Sequence, residues 1–193
     1  MGETIYYQLF FQEVKEALIA ERYDLKGLNE DALMKGQRID NWPIDVIIVV
    51  QGKNPTDNLF CALKPWHVVS KKVADVLIAE NIQGVQLLPV RVFHLSGIEI
   101  PGYSILNVLN IIDCLHYEKT SWVTSQKWNV QYPSLNVWKE ALKEEMVRGK
   151  DIFRIAEMKV EVYVSEFLKT QLQKRQAVIG FNFFPVKAYP MES

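Results

Sequence analysis

One series of landmarks occurs twice in the chain, and it constrains the fold more than any other feature. Val69-Ser70, Val73, Leu77, Gly84 and Pro89-Val90 align with Val164-Ser165, Leu168, Leu172, Gly180 and Pro185-Val186, with one extra residue before the second glycine. Each copy reads as strand, capped helix, glycine turn, strand. The serine offers an oxygen to the free amides at a helix start, the aliphatic residues bury one stripe, and the glycine permits reversal into the next strand. The expected fold class is α+β: a single domain over residues 1–193, with two similar strand-helix-strand units and an N-terminal helix.

That N-terminal helix is expected from Phe10 to Ala20, where Phe10, Val14, Ala17 and Leu18 recur at helical spacing opposite Glu13, Lys15 and Glu16. Residues 24–41, with Gly27 and Gly36, read as loop. A buried strand over 44–50 ends at the Gly52-Lys53-Asn54-Pro55 turn. A helix over 70–81 and a strand over 85–93 follow. Tyr103 to Leu115 favours a strand, yet Asn107, Asn110 and Asp113 recur every three residues and leave a helix open. Residues 122–133 read as loop, and Leu135, Trp138, Leu142 and Met146 form a helical stripe. Short strands over 152–155 and 159–164, the helix capped by Ser165, and a closing strand over 180–186 complete the pass.

With 193 residues, 49% of them hydrophobic and 23% charged, the chain is long enough to bury a core unaided by disulfides or metals. A net charge of -1 disfavours nucleic acid as a partner. The longest apolar run, Val46 to Val50, is strand-length, so no membrane partner is expected. Cys61 and Cys114 lie in no metal-ligand spacing and predict reduced thiols; without a basic region and apolar stretch at the N-terminus, the expected location is cytoplasmic.

Chemistry has few homes in this sequence. There is no GxSxG elbow, GxxxxGK[ST] phosphate loop, GxGxxG fingerprint or HExxH pair. No catalytic, metal or cofactor residue is therefore assigned, and no cofactor is expected. Of the three histidines, His67 and His94 read as packing or surface residues. Asp113 and His116 would share a face if their segment were helical, and Cys114 lies between them; this is the alternative enzymatic site. The tryptophans lie mostly in loops or at helix edges, where aromatic residues anchor protein interfaces. Trp42, Trp122 and Trp128 are the expected protein-binding residues.

A wider order of landmarks carries a family resemblance. It runs through Val68-Val69-Ser70, Leu88-Pro89-Val90, Tyr103 with Leu106-Asn107-Val108, Asp113, Ser121, Ile152-Phe153-Arg154, Val164-Ser165, and Gly180-Phe181 with Phe184-Pro185-Val186. In these the chain resembles the eleventh-numbered family of immunity proteins from bacterial polymorphic toxin systems, most strongly over residues 65–186. It departs at Cys114, where a small or aliphatic residue is usual, and in the helical-looking stretch before Gly149. The resemblance implies a non-enzymatic cytoplasmic protein, encoded beside a toxin, that binds and inactivates that toxin. A scaffold or adaptor role, or an enzyme using Asp113 and His116, is the alternative.

Overall fold

The computed structural model describes residues 4–28, 31–61, 66–122 and 137–191. The chain runs through β1 (Thr4–Phe11), β2 (Ile19–Asp24), α1 (Asp31–Met34), β3 (Ile47–Gln51), β4 (Asn58–Leu59), β5 (His67–Ser70), α2 (Lys71–Ala79), β6 (Val85–His94), β7 (Glu99–Val108) and β8 (Ile111–Ile112). It continues through β9 (Ser121–Trp122), β10 (Val137–Lys139), β11 (Ala141–Lys143), α3 (Glu144–Val147), β12 (Ile152–Ile155), β13 (Met158–Ser165), α4 (Glu166–Lys174) and β14 (Phe181–Tyr189).

The expected α+β class is overturned: 47% of the described residues are in strands and 16% in helices. The organising unit is a curled six-stranded sheet rather than a strand-helix-strand pair. One sheet has the order β2-β3-β6-β7-β5-β4 and the other β11-β14-β1-β13-β12-β8, with β9 and β10 as a separate ladder. Each six-stranded sheet curls until its ends meet: Ile19 bridges Phe60 in the first, and Leu115 bridges Leu142 in the second. Curling removes the exposed edges that would template pairing with another chain.

The N-terminal helix is also absent. Residues 4–11 form a central strand, paired with β14 from Thr4↔Ala188 to Phe11↔Phe181 and with β13 through Tyr6↔Ser165 and Gln8↔Tyr163. Pairing holds the ends of the expected helix extended, Phe10 and Phe11 against β14 and Ile19 and Ala20 against β3, which outweighs the weak local helical preference that Phe10, Val14, Ala17 and Leu18 suggest. Those four residues straddle the end of β1 and a tight turn, in which Ala17 N–H donates to the Val14 carbonyl and Glu16 has φ +55°. The stripe over 135–146 is likewise not one helix. Ala141 to Lys143 pair in parallel with Lys187 to Tyr189, and only Glu144–Val147 is helical; Leu135 lies outside the described residues. For 103–115 the structure has β7, a break at Leu109-Asn110, and β8.

Three apolar clusters hold these layers. Ile48, Val50, Leu88, Val92 and Ile105 fill the concave side of the first sheet, and Tyr6, Leu142, Phe153, Ile155 and Tyr163 that of the second. Between them, Val73, Val76 and Leu77 of α2 share a cluster with Leu168 and Leu172 of α4. The caps stand where the serines predict them: Ser70 Oγ accepts from Val73 N–H at 3.5 Å and Ser165 Oγ from Leu168 N–H at 3.1 Å. Each hydroxyl in turn donates to an aspartate at 2.7 Å, Asp57 for Ser70 and Asp151 for Ser165. Asp57 also accepts the Ile179 N–H at 3.0 Å, so the cap of one helix is tied to the turn after the other.

Candidate functional site

Where the two sheets meet, the ends of β1 and β13 face β4 and the start of β5 across a cleft of about 200 Å³. Its walls are apolar and largely aromatic: Leu9, Phe11, Leu59, Phe60 and Trp66. Phe11 and Phe60, both in its lining, stack on each other at 4.2 Å between ring centres. Phe10 and Val160 stand at the mouth, 43% and 50% exposed, and Phe184, 47% exposed, meets Phe10 edge-on at 4.8 Å. Three of these rings come from β1 and β14, which are neighbours only because β1 inserts beside β14.

The polar side chains in the cleft are few and ordered. Asn58 Nδ2 donates to the Gly180 carbonyl at 3.2 Å, which orients the amide, and Asn58 Oδ1 lies 3.2 Å from His67 Nδ1. An amide oxygen only accepts, so this network assigns the His67 proton to Nδ1 and leaves Nε2 as an acceptor. Burial, with the Arg154 guanidinium nearby, pushes His67 down to about 4, which keeps the ring neutral. The ring lies nearly parallel to that of Phe181 at 6.3 Å. Glu161 also lines the cleft; burial raises its pKa and the Glu140 charge adds to that, while Arg154 pulls it down. Burial pushes the Cys61 thiol up to about 12, so it stays protonated.

Arg154 anchors this region from behind. It is 1% exposed, donates from Nη1 to the Lys159 carbonyl and to Met34 Sδ, and its pKa falls to about 10 through burial, opposed by Glu161. A second apolar surface, a groove of about 460 Å³, lies on the convex side of β2, β3 and β6, with Ile47, Val49, Phe93 and Leu95 in it. Of the charged groups in and beside it, Asp24 pairs with Lys26 at 2.9 Å and Arg91 with Glu99 at 2.9 Å, and Arg22 also lines it.

The residues singled out from sequence do not form one constellation. Trp42 is half-buried against the core of the first sheet and donates its indole N–H to the Pro89 carbonyl at 2.8 Å. The Trp122 backbone pairs with Val137 in the β9–β10 ladder, away from Trp42's sheet; its side chain and the whole of Trp128 lie outside the described residues. Asp113 and His116 follow β8 in no helix. Asp113 is exposed and pairs with Lys143 at 3.3 Å, whereas His116 is buried against Tyr189 at 6.2 Å. Cys114 is fully buried, and burial lifts its thiol to about 12, unlike a reactive thiolate. Among the described residues, no three His, Cys, Asp or Glu side chains are grouped to hold a metal ion, and no helix is long and apolar enough to cross a membrane.

Sequence reasoning passed over His67, Asn58 and Phe10 as site residues. The one available signal was the Phe10-Phe11 pair next to alternating Tyr7 and Leu9, a strand pattern ending in two rings. Asn58 and Gly180, which orient His67, carry no sequence signature of that role.

Among known proteins, no curated protein matches the chain. The profile of the Immunity protein family (Imm11) matches residues 11–188, extending the resemblance through β2 and β3 and into β1. A match over nearly the whole chain, through both curled sheets, places this protein in the Imm11 immunity protein family.

Proposed function

We propose that this chain binds a toxin encoded beside it, in the cytoplasm of the producing cell, and inactivates it by occlusion rather than by catalysis. Membership of the immunity protein family over residues 11–188 carries this reading. The site chemistry supports it. The cleft between the sheets offers aromatic walls, one oriented neutral acceptor and an exposed apolar rim, which suit contact with a protein surface. The side chains of Asp113 and His116 point to separate environments, which favours binding over the enzymatic alternative.

A tight complex buries about 1,600 Å² in total, far more than the cleft alone, so contact extends beyond it over the exposed Phe10 and Val160. Trp122 and Trp128 are proposed as further contacts. Trp42 contributes at most its ring face, since its N–H is held by Pro89.

The test is a growth assay. The C-terminal domain of the neighbouring gene's product is expressed in a sensitive host with and without this chain. Death alone and rescue together support immunity; a neighbour that kills regardless of this chain overturns it for that pair.

A further inference from the structure

We infer that the cleft between the two sheets receives a single aromatic side chain of the toxin, tryptophan or tyrosine, whose ring-borne N–H or O–H donates to His67 Nε2. This rests on the toxin-binding reading and adds the chemistry of the anchor.

Four observations select that occupant. A space of about 200 Å³ suits one ring system rather than a length of peptide. Its walls are rings, with Phe11 stacked on Phe60 at 4.2 Å, and aromatic pairs gain energy beyond the area they bury. The Gly180–Asn58–His67 chain holds a lone pair at Nε2; a purely aliphatic anchor would strip that atom of water and leave it unpaired, at a cost. A cationic anchor is also disfavoured, because the buried Arg154 guanidinium, whose charge acts on both His67 and Glu161, already supplies a positive charge beside the cleft. The exposed Phe10 and Val160, which line the cleft, then flank the anchor. Such a rim keeps water from a buried contact, and it indicates an anchor borne on a protein surface rather than a free solute.

The first experiment titrates the full chain with indole and with 1-methylindole, followed by calorimetry and by amide shifts of residues lining the cleft. Indole binds about tenfold more tightly than its methylated analogue, because only indole can donate to Nε2. In His67→Phe, which keeps a ring beside Phe181, that preference disappears; the comparison of the two probes on the unaltered chain stands even if the variant does not fold. Saturating indole also weakens binding of the neighbouring toxin domain about tenfold. Equal affinity for the two probes, no binding of either, or toxin affinity unaffected by indole overturns the inference. Immunity itself is read separately, by growth rescue, so an immune chain with an indole-blind cleft refutes the anchor alone.

Discussion

At the residue scale, a few polar contacts govern the fold and each can be tested. Ser165 caps α4 while its hydroxyl is held by Asp151, so Ser165→Ala should lower stability by about 1 kcal/mol in chemical denaturation. His67 gives the molecule a pH dependence. Its pKa falls from 6.5 to about 4 on folding, so between those values the unfolded chain binds more protons and stability drops as the solution is acidified. The loss is of order 1–3 kcal/mol, and denaturation midpoints of His67→Phe should fall less steeply over the same range. A variant with the slope of the parent would show that the ring is not neutral in the fold. The Ser165 cap could be read from the sequence, but the setting of His67 could not: it reads as a packing residue beside Pro65-Trp66, because its partner Asn58 and the Gly180 carbonyl that orients Asn58 come from distant segments.

Among the elements, turns and strand partners decide more than local propensity does. Gly180 has φ +88°, and a Cβ there would lie 2.8 Å from the Asn58 carbonyl oxygen. Gly149 has φ +73° but no atom within 4 Å of its Cβ position. Gly180→Ala is therefore expected to cost about 2–3 kcal/mol and to disturb Asn58, whereas Gly149→Ala costs about 1 kcal/mol; thermal melts of the pair measure the difference. β1 gives the sharper contrast. Paired on both sides at Gln8, it cannot lose an amide there, and Gln8→Pro should remove more than 3 kcal/mol and abolish cooperative folding seen by circular dichroism. The capped helices α2 and α4 and strands β6 and β14 could be read from Ser70, Ser165, Gly84 and Gly180 because caps and reversals are local chemistry. The stripe over 135–146 misled for the complementary reason: Ala141–Lys143 become a strand only through pairing with Lys187–Tyr189.

For the whole molecule, the two curled sheets share the cluster in which α2 meets α4. Leu168, 1% exposed within that cluster, is shared structure for both halves, so Leu168→Ala should cost 2–5 kcal/mol and shift one calorimetric transition instead of splitting it in two. The sequence by itself determined what local chemistry determines: where two helices begin, where the chain reverses at glycine, which runs are apolar enough to be buried, and a family resemblance borne by those landmarks. Only the tertiary structure decided that strands outnumber helices, that residues 4–11 complete the second sheet, and that Phe10, Asn58, His67 and Glu161 line one cleft. The physical reason is that a helix closes its hydrogen bonds within a few residues, whereas a strand's identity lies in partners far along the chain, and periodicity within one segment carries no record of them.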